Sequence, residues 1–261
     1  MILVMIATGT ENQPQPDNSS KDLPQIGEQI QQVLKELGLD IELETVNFTV
    51  SHIHHGLRWI FAKAGIPNAD VGILIHDLGE TLVAMVDGEN GQMLVINPQV
   101  FEQIEAASAL AKENQVEIEE LEISLDCRLK EIPTINCFLP DYLEHVGVEE
   151  GAHWIQGLVS SGGEFPGFVK LGEGTRIGDD EDEDENEILD KYLRERDLLA
   201  EQTKPHEINA KYWVNEYFKE KYHDESPWED LYQALKKIAA KRESKKKPPK
   251  KIDLRQIFRG K

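Results

Sequence analysis

Cysteine and long apolar runs are both scarce in this chain of 261 residues. The two cysteines, Cys127 and Cys137, form no CxxC pair, which excludes a zinc site built from paired thiolates. Sparse, unpaired cysteines are typical of a reducing compartment, so we expect a cytoplasmic protein. The apolar run at residues 1–7 is too short for a membrane span or for the core of a signal peptide, and it predicts a buried first strand instead.

Complete catalytic motifs are also missing. The sequence contains no GxSxG elbow, no GxGxxG loop and no GKS or GKT phosphate loop, so neither a serine hydrolase nor a dinucleotide or P-loop enzyme is indicated. His153 and the serines at 160–161 offer a base and a hydroxyl, but no third member of a triad is identified. The leading prediction is therefore a non-catalytic binding or adaptor protein.

Charge is abundant and unevenly distributed. The net charge is −21, yet residues 236–261 carry twelve Lys or Arg against two acidic groups, whereas residues 1–235 carry 47 acidic and 16 basic groups. Such a body repels nucleic acid and anionic membranes, and such a tail attracts them. The predicted partner is another protein or a nucleic acid, with peripheral contact to an anionic membrane as an open alternative. The predicted binding residues are Lys245, Lys246, Lys247, Lys250, Lys251 and Arg255.

The hydrophobic pattern predicts an α/β fold, with α+β as an alternative. A strand at residues 2–7, a helix at 23–37 and a second strand at 41–50 give a βαβ-like start. Asp-Gly and Asn-Gly pairs between two apolar runs predict a hairpin near residues 81–97, which makes the sheet mixed. Asn97 and Pro98 precede an amphipathic helix predicted at residues 99–114.

The second half of the chain divides by composition. We predict an acidic α/β domain over residues 1–171, an acidic linker at 172–187, a helical segment at 188–243 and a basic flexible tail at 244–261. Within the first domain, residues 140–171 predict only a short helix at 142–146, followed by irregular, glycine-rich chain. Helices are predicted at 188–200, 207–221 and 227–242, the last with Ser226 as its cap.

Three of the eight histidines fall within VSHIHHGLRW, residues 50–59. On a strand, His52 and His54 would point the same way, and on a helix His52 and His55 would share a face. The best source of a further ligand is the pair His76 and Asp77, at the end of a separate predicted strand at 71–76. No cofactor is favoured, but a divalent metal at His52, His54, His55 and Asp77 is possible, and it defines the first alternative function, a metal-dependent hydrolase.

SHIHHG resembles the strand-end signature of the metallo-β-lactamase superfamily. The resemblance implies that His52 and His54 bind a first metal ion. In that family an Asp-His pair follows, binds the second metal and positions the water, whereas His55-Gly56 stands at those positions here. HIHHGLR also resembles the tRNA-isoleucine lysidine synthetase group, although ATGTENQ at residues 7–13 replaces that family's serine- and glycine-rich phosphate loop.

A longer pattern gives the second alternative function. SH at 51–52, GIP at 65–67, DGENG at 87–91 and NP at 97–98 resemble, in that order, the phosphohistidine domain of phosphoenolpyruvate-utilising phosphotransferases. The resemblance implies phosphotransfer through His52. The chain departs from the family in having VNF instead of the glycine pair before the histidine, and in a longer spacing between His52 and Gly65.

Overall fold

A computed structural model describes residues 3–5, 23–69, 71–79, 83–87, 93–125, 134–171, 199 and 201–245. The helices are α1 (Leu23–Glu36), α2 (Leu43–Lys63), α3 (Pro98–Asn114), α4 (Leu139–Ser160), α5 (Pro205–Lys221) and α6 (Glu229–Lys245), with a 3₁₀ turn at Ile118–Glu120. The strands are β1 (Leu3–Met5), β2 (Gly72–Ile75), β3 (Ala84–Asp87), β4 (Met93–Ile96), β5 (Glu122–Leu125) and β6 (Ile135–Phe138).

Four strands form a mixed sheet in the order β1-β2-β4-β3. β2 runs parallel to β4, with Ile73 opposite Leu94, and antiparallel to β1. β3 and β4 are the two antiparallel strands of the predicted hairpin, with Met85 opposite Val95, and the turn residues 88–92 lie outside the described residues. β5 and β6 form a separate antiparallel pair. The predicted fold class, with its mixed sheet, hairpin and helical C-terminal part, is confirmed.

The prediction of a strand at residues 41–50 is wrong, because α2 begins at Leu43 and covers the rest of that stretch. Its buried positions Val46, Val50, Ile53, Leu57 and Ile60 repeat at helical spacing and join one hydrophobic core. Thr45, Val46, Thr49 and Val50 are β-branched, and this local preference for a strand is overridden by the packing of the long helix. The βαβ-like start is therefore replaced by a strand, two helices and a strand.

The prediction for residues 140–171 is also wrong over most of its length. α4 continues through the glycine-rich stretch to Ser160, and only residues 161–171 lack regular structure. Glycine weakens a helix by about 1 kcal/mol relative to alanine, which is why the stretch looks irregular. The glycines of α4 are instead used for packing.

α2 and α4 cross in close contact at two glycines. A Cβ added to Gly147 would lie 2.0 Å from the Ile53 carbonyl oxygen, and a Cβ added to Gly56 would lie 2.2 Å from the Glu144 carbonyl oxygen. Both distances are far below van der Waals contact with backbone atoms, so neither position accommodates a side chain. The crossing fixes α4 against the rest of the core.

The C-terminal helices pack on the first part of the chain. On α5, Tyr217 donates to Glu144 Oε2 over 2.7 Å and Lys221 donates to Asp141 Oδ1 over 2.8 Å, both across to α4. The helix predicted at 207–221 is confirmed as α5. α6 follows a turn in which Ser226 Oγ accepts from the Trp228 amide at 3.2 Å, as its predicted role of cap requires. The predicted domain boundaries stay a prediction.

Candidate metal centre

The histidines of VSHIHHGLRW lie within α2 rather than at the end of a strand, so the strand-end geometry of the metallo-β-lactamase signature does not apply. His52 Nδ1 lies 3.2 Å from Glu144 Oε1, and the His52 ring packs against Phe48 at 4.7 Å. His55 is exposed, with its ring 6.3 Å from that of Tyr217, and His54 is partly exposed. His52 is thus engaged with a carboxylate of α4.

Asp77, the expected further ligand, is exposed in the loop after β2. Its Oδ1 accepts from the Gly79 amide at 2.8 Å, which is the contact of a local turn. Among the described residues, the groups of three close metal-binding side chains include neither Asp77 nor any of the α2 histidines. The structure therefore does not bring His52, His54, His55 and Asp77 together as the ligands of one ion.

The basic residues proposed for binding lie at the end of the chain. Lys245 is the last residue of α6, and its side chain lies outside the described part. Lys246, Lys247, Lys250, Lys251 and Arg255 lie entirely outside it. Their predicted contact with an anionic partner stays a prediction. Within the described residues, no helix is long and apolar enough to cross a membrane.

A cleft of about 480 Å³ opens between β3, α4 and the start of α5. We call it the α4–α5 cleft. Apolar side chains of β3 form one wall, and charged or titratable side chains form the other. These are Glu149, Glu150, His153, His206 and Glu207.

Glu149, His153 and Glu207 form a group of three potential metal ligands in this cleft. One ligand atom from each lies within 4.8 Å of the others, and His153 Nε2 is 3.6 Å from Glu207 Oε2. The three side chains are 13%, 13% and 14% exposed, so they are largely buried but still reach the cleft. Glu149 and His153 share a face of α4 because they are four residues apart, and Glu207 comes from the first turn of α5.

Gln156 sets the orientation of the His153 ring. Its Nε2 donates to the His206 carbonyl oxygen at 2.9 Å, which leaves its Oε1 to face His153 Nδ1 at 3.0 Å. An amide oxygen only accepts, so Nδ1 carries a proton, and Nε2 is the ring nitrogen that faces Glu207. Metal-binding histidines are commonly oriented through the other ring nitrogen in this way.

Glu149 is held as a carboxylate by two cationic or polar neighbours. Lys211 Nζ donates to Glu149 Oε2, and His145 Nε2 lies 2.7 Å from the same oxygen. Burial opposes the charged form, but Lys211 and His145 hold the pKa of Glu149 well below its usual range. Burial lowers the pKa of His145, whose ring stacks on Trp228 at 3.9 Å, more than Glu149 raises it. His145 is thus neutral, and Lys211 supplies the balancing charge.

Two residues of the cleft, Glu150 and His153, hold protons at neutral pH. Burial, together with Glu149 and Glu207, raises the pKa of Glu150 to about 8 despite the opposing effect of His153. Burial disfavours the charged form of His153, but Glu207, Glu150 and Glu149 raise the pKa of its ring to about 9. At neutral pH both residues therefore carry a proton, and an ion bound through His153 Nε2 would displace the proton of that ring.

The donor set suits a divalent transition metal. Carboxylate ligands favour Mg²⁺ and Mn²⁺, imidazole favours Zn²⁺ and Fe²⁺, and a set of two carboxylates and one imidazole is typical of Mn²⁺, Fe²⁺ or Zn²⁺. A second group, Glu201, His206 and Glu207, also has ligand atoms within 4.8 Å of one another. The described residues thus offer two groups that could hold a metal ion, at positions other than the predicted ones.

Sequence reasoning missed these residues because it did not recognise α4. On a helix, Glu149 and Glu150 both share a face with His153, at spacings of four and three residues. That spacing was the available signal, and it was hidden by the glycines at 147 and 151. Nothing in the sequence indicated that Glu207 of α5 would lie beside them.

Comparisons with known proteins add no name to this site, because no family model, no curated protein and no solved structure matches the chain.

Proposed function

We propose that the protein is a metal-dependent hydrolase whose divalent ion is held by Glu149, His153 and Glu207 in the α4–α5 cleft. The observation that carries the proposal is the convergence of these three ligand atoms, within 4.8 Å, on the wall of a cleft of about 480 Å³. Three protein ligands leave a coordination position for water or substrate, which distinguishes a catalytic site from a closed structural one.

A divalent ion in such a site lowers the pKa of a bound water and polarises the bond to be cleaved. Glu150 is the candidate proton carrier, because its carboxyl group lines the cleft next to the proposed ligands Glu149 and His153. Lys211 keeps Glu149 ionised as a ligand.

The serines at the end of α4 have a structural role. Ser160 Oγ donates to the Gln156 carbonyl oxygen and accepts from the Leu171 amide, each at 2.9 Å. These contacts tie residues 161–171 back to the helix, so Ser160 is not a nucleophile activated by His153. Trp154 lines the cleft, and its buried Nε1 has no hydrogen-bond partner within the described part of the chain.

The first test is metal binding by protein purified without an affinity tag. The protein is stripped with chelator, reloaded with Mn²⁺, Fe²⁺ or Zn²⁺, passed over a desalting column and analysed for metal. We expect at least one equivalent in wild type, and affinity weakened about 100-fold or more in His153→Gln, since loss of a mere orienting partner already costs 10- to 100-fold. The matched control is His55→Gln, an exposed histidine of α2, which should bind metal like wild type.

A wild-type protein that retains less than about a tenth of an equivalent of each metal would end the proposal, given the tight binding that three such ligands provide. Catalysis is tested separately with p-nitrophenyl acetate and bis(p-nitrophenyl) phosphate. Glu150→Gln should retain the metal but lose about 100-fold or more in turnover, the usual contribution of a general acid or base. Turnover that is unchanged in Glu150→Gln removes that residue from the reaction.

We also propose, on the charge distribution alone, that the basic tail contacts an anionic partner and gives the protein an adaptor role. The support is the excess of Lys and Arg over residues 236–261 beside a strongly acidic body. Removal of residues 246–261, after the last residue of α6, should abolish retention on heparin and on RNA at low salt. Retention that is the same with and without these residues contradicts the proposal.

A further inference from the structure

We infer that the α4–α5 cleft holds two divalent ions, with Glu207 as the bridging carboxylate and with Glu201 and His206 as the remaining ligands of the second ion. The inference rests on the proposed function, because the first ion is the one assigned there to Glu149, His153 and Glu207. It adds a second metal site and makes the centre dinuclear.

The two oxygens of Glu207 face two different histidines. Oε2 lies 3.6 Å from His153 Nε2, and Oε1 lies 3.5 Å from His206 Nε2. The rings of His153 and His206 are inclined at 69°, with centroids 6.0 Å apart. A single carboxylate that presents one oxygen to each of two imidazoles has the arrangement of a bridging ligand.

The distances between Glu207 and the two histidines are compatible with coordination as well as with ion pairing. A hydrogen bond between a histidine nitrogen and a carboxylate is normally shorter, at about 2.7–2.9 Å when charged. Two donors on the same ion, each about 2.1 Å from it in tetrahedral geometry, are about 3.4 Å apart. The pairs at 3.5 and 3.6 Å therefore match adjacent corners of two coordination shells.

Glu201 completes the second set from the chain just before α5. Its Oε1 lies 3.9 Å from His206 Nε2, while Lys204 Nζ holds its Oε2 at 2.5 Å. One oxygen of each carboxylate and the imidazole nitrogen fall within 4.8 Å of one another. His206 is buried, with only 8% of its side chain exposed, so its ring is presented to the cleft rather than to bulk solvent.

One side chain fixes both histidines. The Gln156 amide that faces His153 through Oε1 also donates through Nε2 to the His206 carbonyl oxygen. Its Nε2 lies 3.1 Å from Asn209 Oδ1 as well, which secures the first turn of α5. The two sites are thus held at a set separation by a buried glutamine of α4. Two ions about 3.5–4 Å apart can stabilise both the attacking and the leaving oxygen of a displacement, and this is the chemistry that the second ion adds.

The test is metal stoichiometry in three variants, measured with Mn²⁺ on chelator-treated, full-length protein. We expect two equivalents in wild type, one in Glu201→Gln, and two in the matched control Glu225→Gln, which changes an exposed glutamate of the turn before α6. Glu201 is 40% exposed, so its substitution should leave the fold intact, and His206→Gln provides a second variant with the same expected loss of one equivalent.

Electron paramagnetic resonance of the same samples tests the bridge. Two bridged Mn²⁺ ions couple magnetically, so wild type should lack the simple six-line signal of isolated Mn²⁺, and Glu201→Gln should regain it. One equivalent in both wild type and Glu201→Gln overturns the second site but leaves the proposed function standing. Two equivalents with uncoupled spectra overturn the bridge, and no metal at all in wild type overturns both proposals.

Discussion

The α2 histidine cluster and the α4–α5 cleft differ in how their histidines come together. His52, His54 and His55 are close in sequence, but a helix turns by 100° per residue, so His54 lies on a different side of α2 from His52. His153 and His206 are far apart in sequence, yet their rings are 6.0 Å apart and both face Glu207. In this protein, histidines that are close in sequence do not converge with Asp77, whereas side chains from two separate helices do converge in the cleft.

The two regions also differ in how their acids are satisfied. Glu144, which faces His52, accepts from Tyr217 and Lys221 as well. Burial opposes its charged form, but these donors lower the pKa of Glu144 to about 2, as expected of a structural ion pair. Glu150 in the cleft has a pKa raised to about 8 instead. A buried carboxyl group that keeps its proton marks the cleft, rather than α2, as the chemically unsatisfied region.

The largest expected effect comes from breaking the crossing on which both regions depend. Gly147→Ala places a Cβ 2.0 Å from the Ile53 carbonyl oxygen, so α2 and α4 are forced apart at a cost of about 3 kcal/mol or more in the free energy of unfolding. Gly157→Ala is the matched control on the same helix, since its nearest neighbour would be Leu171 Cδ1 at 3.6 Å. It should be neutral or stabilise by up to about 1 kcal/mol. Urea unfolding compares them, and equal midpoints would contradict the close crossing.

Removing the buried cation that pairs with Glu149 sharpens the electrostatic contrast between the two regions. Lys211→Met leaves Glu149 without its main partner, and breaking a buried pair in this way costs about 3 kcal/mol. If a metal ion binds at Glu149, it replaces the lost charge, so Mn²⁺ or Zn²⁺ should raise the melting temperature of Lys211→Met more than that of wild type. Calorimetry with and without metal measures both values, and an equal shift in the two proteins would speak against a metal ligand at Glu149.

Glu144→Gln tests the structural pair that contains His52. Since Lys221 is 30% exposed, solvent screens the pair, and we expect a smaller loss of about 2 kcal/mol at pH 7. The pKa of Glu144 is about 2 in the folded protein against an ordinary 4.5, so its contribution is complete above pH 4.5 and is lost as the pH falls toward 2. The stability difference between wild type and Glu144→Gln should therefore shrink over that window. A difference that stays constant down to pH 2 would show that Glu144 does not titrate there.

The smallest expected effect is at the exposed end of the α2 cluster. His55→Gln should change the free energy of unfolding by less than about 0.5 kcal/mol, as is usual for surface substitutions. It should also leave metal content unchanged, in contrast to His153→Gln. A loss of metal in His55→Gln would place the metal site on α2 instead of in the α4–α5 cleft.

Local signals predicted those elements whose sequence preference agrees with their packing. The Asn97-Pro98 start of α3 is one case, since the Asn97 side chain accepts from the Gln99 amide at 3.1 Å, and the β3–β4 hairpin is another. α2 and α4 were not predicted at their full length, because β-branched residues in one and glycines in the other carry a local preference that tertiary contact overrides. The cleft depends on α4 and on its packing against α5. The packing of α4 against α5 joins segments that are distant in sequence, so no pattern within a single segment could have indicated it.

The glycines of α4 also indicate which sequence pattern a related protein would share. Gly147 and Gly151 face α2, where a Cβ on Gly151 would meet Ile60 Cγ2 at 2.5 Å, while Glu149 and His153 project from the other side of the same two turns. Glycines and proposed metal ligands therefore alternate along residues 147–153 as G-x-E-x-G-x-H. Substitutions at the glycines would displace the ligands as well as the backbone. Selection for the centre and selection for the fold would thus act on one seven-residue string, which can be searched for in other genomes.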